Sequence, residues 1–480
     1  MVHTFKSNGY NFIVDGNSGS VHITDDLCCE IISEKQYLPP LSDNIDKFGR
    51  KYSPSEIEEA YKEIENLKNE GTLFSPLQNI EEIFDKKNKS TGLKALCLNV
   101  SHDCNLSCEY CFASKGDYKS GKRLMTKETA LRAVDFLVEN TESRHNIEID
   151  FFGGEPLMNF DVVKETVRYG KKIEKQFGKE FYFTITTNGV LLNDEKIDFI
   201  NEYMDNIVIS IDGRKEVHDS MRYDKKRRGT YDIIVPLAQK LISKRNKGEK
   251  KSYFIRGTFT SKNKDFYNDI MHLASLGFKE ISVEPVVGTG DALFIREEDV
   301  PYILDEYDKF AADYLKLSRQ GNSFRFYHFN LNLYDGPCVN KRITACGAGF
   351  EYLAVSPEGK FYPCHQFVGQ KEFVMGDVFS GVENKELETI FRNSNILTKE
   401  KCSSCWAKLF CSGGCHANAW YSNKDISKPN EIACTLQKKR IECAIMIQAA
   451  LQEESAGFHA LNEIDAYTES DEYVSNAKNI

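Results

Sequence analysis

The sequence predicts an α/β protein built around a partial (β/α)6 TIM-like barrel, and two observations carry this prediction. Six strand-like runs lie between about residues 92 and 320: LKALCLNVS, NIEIDFFGG, FYFTITTNG, NIVISIDG, YFIRGTFT and EISVEPVVG. Helical patterns separate or follow them, such as TKETALRAVDFLVENT, DVVKETVRYGKKIEKQF and PYILDEYDKFAADYLKLS. This alternation predicts a parallel sheet with the helices outside. Six units are fewer than the eight of a closed barrel, so we expect a partial barrel with its chemistry at the carboxyl ends of the strands.

Residues 1–84 have a different pattern. The run YNFIVDGNSGSVHIT predicts two short strands joined by a tight turn. A helix is expected to follow later in this segment, because Ser53 can cap it, Pro54 suits its first position and Glu56 completes a capping box. A small sheet with helices predicts a winged-helix-like module, joined to the barrel by the polar linker 85–90.

Composition limits the classes of function. The chain has 480 residues, enough for roughly two to four domains. Its net charge of −10 argues against nucleic acid as the main partner. No apolar run is long enough to span a membrane and the N-terminus lacks an export signal, so a cytoplasmic protein is expected. In a reducing compartment, the 15 cysteines indicate metal or redox chemistry rather than disulfides.

The first cysteine group lies in SHDCNLSCEYCFAS, directly after the first barrel strand. Cys104, Cys108 and Cys111 are spaced C-x3-C-x2-C. A four-iron cluster takes one ligand per iron, so three thiolates leave one iron open to a substrate. A structural zinc site needs four protein ligands. His102 could supply the fourth, and this alternative remains open at the level of the sequence.

The spacing and its position after strand one resemble the signature of radical S-adenosylmethionine (radical SAM) enzymes. The resemblance implies that the open iron chelates the methionine part of S-adenosylmethionine, whose reductive cleavage gives a 5′-deoxyadenosyl radical. GGEP, TTNG and SIDG end the second, third and fourth strands, where this family contacts the cosubstrate. Arg222 would pair with the methionine carboxylate. The expected contacts are Tyr110, Phe112, Gly153, Gly154, Glu155, Pro156, Asn188, Ser210, Asp212 and Arg222.

A second field of cysteines follows residue 320 and resembles the SPASM domain of radical enzymes that modify ribosomally made peptides. Its pattern is C-x12-G-x4-C, then C-x2-C-x5-C-x3-C, then a last cysteine. The resemblance implies two auxiliary [4Fe-4S] clusters, and therefore three clusters in the chain. The outer cluster would be held by Cys402, Cys405, Cys411 and Cys434, and the inner one by Cys346, Cys364 and Cys415. A zinc knuckle is the alternative interpretation of the four-cysteine run.

The inner cluster is then one ligand short. Either Cys338 completes it, or the open iron binds a substrate thiolate. The sequence gives no role to the remaining cysteines, which are Cys28, Cys29, Cys97 and Cys443. His365 is expected to be structural, and Glu284 could line the cavity or simply end its strand.

With its N-terminal module, the whole chain resembles the maturases of SCIFF peptides, small cysteine-rich peptides that receive a thioether between a cysteine sulfur and a threonine carbon. The implied partners are a ribosomally made precursor, captured through its leader, and an electron donor such as ferredoxin or flavodoxin. No nucleic acid or membrane partner is expected. The predicted domains are a leader-recognition element at 1–84, the barrel at 92–320, the SPASM domain at 321–455 and a polar acidic tail at 456–480.

Two alternatives remain. Another SPASM maturase would share all these motifs: a formylglycine-forming sulfatase maturase, a peptide epimerase or a carbon–carbon cross-linker. From a different class, a non-catalytic zinc or iron–sulfur binding protein would also use clustered cysteines.

Overall fold

The structure is a computed structural model that describes residues 1–33, 36–76, 82, 84, 92–245, 251–288, 292–331, 333 and 339–456. The predicted linker at 85–90, Cys338 and nearly all of the predicted tail at 456–480 lie outside the described residues. Among the helices described, none is both long and apolar enough to cross a bilayer.

Fourteen strands are described, and most of them coincide with the strand-like runs of the sequence. They are β1 (Val2–Ser7), β2 (Tyr10–Asp15), β3 (Val21–Thr24), β4 (Ala95–Ser101), β5 (Asn146–Gly153), β6 (Glu180–Thr187), β7 (Asn206–Ser210), β8 (Ser252–Phe259), β9 (Glu280–Pro285), β10 (Arg325–Phe326), β11 (Tyr352–Val355), β12 (Lys360–Tyr362), β13 (Gly376–Asp377) and β14 (Gly381–Val382).

The described α-helices range from one turn to 26 residues. They are α1 (Asp26–Ile32), α2 (Leu41–Phe48), α3 (Pro54–Asn69), α4 (Lys127–Glu139), α5 (Phe160–Phe177), α6 (Asp194–Tyr203), α7 (Lys215–Met221), α8 (Tyr231–Lys244), α9 (Phe266–Ser275), α10 (Val300–Arg319), α11 (Val339–Arg342), α12 (Lys385–Asn393), α13 (Glu400–Ser403), α14 (Lys408–Cys411), α15 (His416–Asn423) and α16 (Glu431–Ala456).

The chain forms two compact units, each made from separate parts of the sequence. The first contains the described residues of 1–89, 300–345 and 394–461, and the second contains those of 90–299 and 346–393. This division differs from the predicted domain bounds at two places: α10 belongs to the first unit, and 346–393 belongs to the second. The physical reason for the latter is that β11 pairs with β4 and continues the barrel sheet.

In the first unit, the N-terminal sheet has the antiparallel order β1-β2-β3. The predicted hairpin is β2–β3, while β1 was not predicted. The predicted helix is α3, and its capping box between Ser53 and Glu56 is present. Ile57 and Ile64 of α3 are fully buried against α1 in one apolar core. The predicted function of this element in leader recognition stays a prediction.

In the second unit, the six predicted strands β4 to β9 form a parallel sheet in sequential order, as expected. Beyond β4 the sheet continues through β11, β12, β13 and β14. In β5 and β6, fully buried residues alternate with partly exposed ones. The buried side packs on helices such as α5, and the opposite, partly exposed side, with Asp150, Phe152, Thr184 and Thr186, faces the inside of the partial barrel, its lumen.

Candidate active site

The loop after β4 brings the first three cysteines together at the carboxyl end of the sheet. Cys104 is buried, and Cys108 and Cys111 are partly buried. Burial, together with Glu155 and the two other thiols, raises the pKa of Cys104 to about 12. Burial also raises the pKa of Cys108 to about 11, although the nearby Arg222 lowers it. Such thiols become thiolates only when a cation compensates their charge, which iron would do.

No three His, Cys, Asp or Glu side chains of the described chain are arranged around a single metal ion. A four-iron cluster takes each thiolate on a different iron, so its ligands do not converge on one point. His102, the candidate fourth zinc ligand, stacks on Tyr118 at 4.6 Å and places its Nδ1 3.0 Å from the Ser120 hydroxyl. Burial lowers the pKa of His102 to about 4. The three thiols therefore fit the ligand set of a cluster.

The glycines of GGEP allow the end of β5 to touch the cysteine loop. A Cβ on Gly153 would lie 2.4 Å from the Ser101 carbonyl oxygen, and one on Gly154 would lie 2.2 Å from that of Asp103. Gly154 N–H donates to the Ser101 carbonyl at 2.7 Å, and Glu155 N–H donates to that of Asp103 at 3.0 Å. Only glycine fits at such a close approach of two backbones. The pair therefore fixes the cysteine loop against β5.

Glu155 is fully buried and joins the ends of β5 and β6. Its carboxylate accepts hydrogen bonds from Leu157 N–H at 3.0 Å, the Thr187 hydroxyl at 2.7 Å and Asn188 N–H at 2.8 Å. Burial raises its pKa, while these donors lower it. The sequence predicts Glu155 as a contact of the cosubstrate, and in the structure its carboxylate bonds neighbouring backbone and the Thr187 hydroxyl. Pro156 begins the short 3-10 helix that follows.

Asn188, at the end of β6, reaches the cysteine loop directly. Its side-chain amide donates to the side-chain oxygen Oδ1 of Asn105 at 2.9 Å and to the Cys104 sulfur at 3.6 Å. Hydrogen bonds to the sulfur are one of the means by which proteins tune iron–sulfur clusters.

Tyr110, Asp212 and Arg222 form one buried polar group. The Tyr110 hydroxyl donates to both Asp212 carboxylate oxygens at 2.8 and 2.7 Å, and the Arg222 guanidinium donates to the Tyr110 hydroxyl at 2.7 Å. Burial raises the pKa values of Tyr110 and Asp212. The Nε of Arg222 is buried and has no hydrogen-bond partner among the described residues. An unpaired buried donor of this kind fits an anionic ligand group such as the methionine carboxylate.

Ser210 and Phe112 border this region. Ser210 is partly exposed at the end of β7. Phe112 is 40% exposed and packs near Phe152 and His365, with ring centroids 6.3 and 5.7 Å apart. The ring centroids of His365 and Phe152 are 4.9 Å apart. Phe112, Phe152 and His365 therefore form an aromatic patch on the lumen side. Glu284 is partly exposed near the end of β9, opposite Thr258.

Tyr118 was missed by the sequence reasoning. It is buried, and its hydroxyl donates to the Gly153 carbonyl at 3.1 Å. Burial raises its pKa, with smaller contributions from Cys97, Cys111 and Cys104. No motif marks this tyrosine, because it lies outside the cysteine spacing and reaches the site only through the fold of its loop.

The four cysteines predicted for the outer cluster come together in the first unit. Cys402 precedes α14, Cys411 ends it, Cys405 lies between α13 and α14, and Cys434 is in α16. Burial, with a smaller contribution from neighbouring thiols of the same set, raises the pKa of both Cys402 and Cys434 to about 11. This mutual influence shows that the four thiols share one environment.

The inner set is divided between the two units, with Cys346 and Cys364 in the second and Cys415 in the first. Gly349 N–H, just after Cys346, donates to the Pro363 carbonyl at 3.0 Å, which ties the segments of the two second-unit cysteines together.

The four cysteines without a predicted role are all buried. Cys29 and Cys443, for example, direct their sulfurs to backbone carbonyls at 3.8 and 3.6 Å.

Comparison with known families and proteins gives two domain matches. The Radical SAM superfamily model matches residues 98–252, and the SPASM model, described as an iron–sulfur cluster-binding domain, matches residues 346–406. The first match contains Cys104, Cys108 and Cys111, and the second contains Cys346, Cys364, Cys402 and Cys405.

Among curated relatives, a cysteine-type anaerobic sulfatase-maturating enzyme of Clostridium novyi is 28% identical, over 68% of this chain and 88% of its own length. The radical SAM cyclopropyl synthase TigE of Paramaledivibacter caminithermalis is 23% identical, over 72% of each chain. The mycofactocin maturase MftC of Mycobacterium tuberculosis is 24% identical, over 75% of this chain and 86% of its own.

Solved structures share the fold. Native anSMEcpe with bound AdoMet and the Kp18Cys peptide superposes with a TM-score of 0.60 at 20% identity, covering 75% of this chain and 99% of the other. Streptococcus suis SuiB bound to S-adenosylmethionine gives a TM-score of 0.51 at 15% identity, covering 90% and 98%.

Proposed function

Because this chain is a radical SAM superfamily enzyme that carries a SPASM domain, we propose that it is a peptide maturase forming a thioether between a cysteine sulfur and a threonine carbon of a ribosomally made, cysteine-rich precursor. The observation that carries the proposal is the second cysteine field. Its seven cysteines follow the SPASM spacing, and the first unit gathers four of them in one environment. A simple radical cleavage would not need these additional ligand sets.

The relatives support the class of substrate. Their names include sulfatase-maturating enzymes, a cyclopropyl synthase and a mycofactocin maturase. SuiB has also been crystallised with its precursor peptide SuiA. These reactions differ, and what they share with the proposal is the class of substrate.

Within the site, Cys104, Cys108 and Cys111 would hold the first cluster. When bound, this cluster and S-adenosylmethionine supply a 5′-deoxyadenosyl radical that abstracts hydrogen from the peptide. Arg222 Nε would bind the methionine carboxylate, while Asp212 and Tyr110 fix the guanidinium. The Asn188 amide restrains the loop at Cys104.

The open lumen would receive the core of the peptide. Its wall combines Asp150 and Thr184 with the aromatic patch of Phe112, Phe152 and His365. Polar side chains can hydrogen-bond the peptide backbone, whereas the aromatic rings shield the reacting carbon from water. Formation of the thioether removes one hydrogen from the carbon and one from the thiol.

The leader would bind by adding a strand to the N-terminal sheet. The two edges of this sheet differ: His3 of β1 stacks on Trp406 and hydrogen-bonds Glu442, whereas β3 is partly exposed along its whole length. His22 of β3 contacts the Thr72 carbonyl just after α3. Strand addition beside a helix is a recurrent mode of peptide capture, and it favours β3 here.

An acidic electron-transfer protein, such as a flavodoxin or ferredoxin, would dock on a basic surface around the first cysteine loop. Ser107 N–H donates to the Tyr223 carbonyl at 2.8 Å, so the basic segment 222–228 lies directly against this loop. Lys225 of this segment and Lys122 both contact Asp103 of the loop, at 3.2 and 3.0 Å. Exposed positive charges here contrast with the net charge of −10 and would steer an acidic partner toward the cluster.

The proposal is tested by anaerobic reconstitution and mass spectrometry. We expect about twelve irons per chain, reductive formation of 5′-deoxyadenosine, and loss of two hydrogen atoms from a cysteine-rich precursor without backbone cleavage. A C104A/C108A/C111A variant should lose about four irons and all 5′-deoxyadenosine. Formation of an aldehyde from cysteine would favour sulfatase maturation instead. Stoichiometric zinc without cleavage of S-adenosylmethionine would favour a binding protein.

A further inference from the structure

The outer cysteine set lies among cationic side chains of the first unit. Lys399 is buried and donates to the Gly413 carbonyl at 3.0 Å, and it lowers the pKa of Cys402. Lys438 lowers the pKa of both Cys402 and Cys434. Arg440 lowers the pKa of Cys411. A fourth cation, Lys408, differs from these because it also contacts the N-terminal element.

Lys408 is only 3% exposed although it sits between Cys405 and Cys411 in the sequence. Its ammonium donates to the Ser403 carbonyl at 3.2 Å and to the side-chain oxygen of Asn17 at 2.9 Å. Burial lowers the pKa of Lys408, while Cys405 and Asp15 raise it. A buried ammonium is retained only where acceptors and countercharges surround it. Here they come from the cysteine segment and from the β2–β3 turn.

The β2–β3 turn itself lies directly against the cysteine segment. A Cβ on Gly16 would lie 2.4 Å from the Trp406 carbonyl oxygen, so this turn and the residue after Cys405 are in direct contact. The indole of Trp406 also stacks on His3 at 4.1 Å with an interplanar angle of 7°. On the turn, the Asn17 amide donates to the Ser75 carbonyl at 2.8 Å. A displacement of the turn would therefore displace Lys408.

We propose that Lys408 is a positioning residue that couples the N-terminal element to the outer cluster: its ammonium raises the reduction potential of that cluster, and the β2–β3 turn sets where the ammonium lies. The inference rests on the proposed four-iron cluster at Cys402, Cys405, Cys411 and Cys434. Net charge and hydrogen bonding around a cluster set its potential, and a nearby positive charge favours the reduced, more negative state. Peptide binding to the N-terminal element would then change the reduction potential of the outer cluster.

The experiment is a redox titration of the full-length, reconstituted protein, followed by electron paramagnetic resonance. The signal of the outer cluster is identified as the one that disappears in C405A. K408M removes the charge and keeps the chain length, whereas K408R keeps the charge. N17D adds a negative charge beside Lys408 from within the N-terminal element. N8D makes the same substitution in the exposed β1–β2 turn of the same sheet and is the matched control.

We expect lower midpoint potentials of the outer cluster in K408M and in N17D, a potential close to the wild-type value in K408R, and no shift in N8D. Iron content should remain unchanged in all four variants. Unchanged potentials in both K408M and N17D, with full iron content, would overturn the coupling while leaving the proposed function intact. A shift in N8D equal to that in N17D would also overturn it, because the effect would then be one of net charge alone. If wild-type protein never holds the auxiliary clusters, it is the proposed function that fails.

Discussion

Gly154→Ala tests the close contact between β5 and the first cysteine loop. The added methyl group would lie 2.2 Å from the Asp103 carbonyl oxygen, 2.6 Å from its carbonyl carbon and 3.0 Å from Gly116 Cα. Favourable separations of such atoms are about 3.5 Å, so the loop has to move by roughly 1 Å. All three neighbours are backbone atoms, which cannot move aside as a flexible side chain would.

Two effects follow from this displacement. Overpacking of this size costs about 1–3 kcal/mol of folding free energy. A shift of about 1 Å in reacting groups typically lowers the rate about a hundredfold. We therefore expect 5′-deoxyadenosine formation to fall by about two orders of magnitude, while the iron bound by the SPASM cysteines is retained.

The assay combines urea unfolding, iron content and single-turnover formation of 5′-deoxyadenosine with a chemical reductant. Gly277→Ala, in the same unit, is the control: Gly277 has φ +89°, but no atom of the described residues lies within 4 Å of its added Cβ, so this variant reports backbone strain alone. That strain should cost about 1 kcal/mol without affecting the rate. Wild-type rates in G154A would refute the claim that this contact positions the loop.

Three further outcomes are expected. Glu155→Gln should cost about 1–3 kcal/mol in urea unfolding, because the new NH2 group faces donors that now bond the carboxylate; unchanged stability would show that the carboxylate does not hold β6. Burial lowers the pKa of His218 to about 3, below its unfolded value. The contribution of the neutral imidazole to the free energy of unfolding is therefore complete above about pH 6.5 and is lost as the pH falls toward 3. The stability of wild type relative to His218→Gln should therefore drop by about 2 kcal/mol between pH 7 and 5, and a flat difference would contradict this. Lys226→Glu should slow reduction by flavodoxin about three- to tenfold, but not reduction by dithionite; an equal effect of Lys172→Glu, on the exposed face of α5, would rule out a local docking surface.

The sequence was informative wherever a local pattern determines a local structure. The strand-like runs specify β4 to β9, and the capping box specifies the start of α3, because both depend on neighbouring residues. The same holds for the cysteine spacings, since three thiols within eight residues of one loop are necessarily neighbours.

What the sequence could not predict depends on contacts between distant segments. The pairing of β11 with β4 places residues 346–393 in the barrel unit, and no feature of either strand indicates its partner. The sequence predicts Glu155 as a contact of the cosubstrate, but in the structure its carboxylate accepts three hydrogen bonds that join the ends of two strands. No motif marks Lys408, whose burial and hydrogen bond to Asn17 depend on a segment 391 residues away in the sequence.

The two well-defined cysteine sets differ in the buried charges beside them, and this difference matches the electron-transfer role that each would have. Among the buried side chains around the first set, the carboxylates of Glu155 and Asp212 accompany the guanidinium of Arg222, whereas the lysines of its basic surface are exposed. The outer set instead has four cations in its neighbourhood. Because nearby positive charge favours the reduced state of a cluster, the outer set is suited to accept an electron, while the first is suited to give one up. A thioether-forming maturase needs both properties, since it must cleave its cosubstrate reductively and then remove an electron as the carbon–sulfur bond forms. Redox titration should accordingly give the outer cluster a higher midpoint potential than the first, and the reverse order would contradict this assignment of roles.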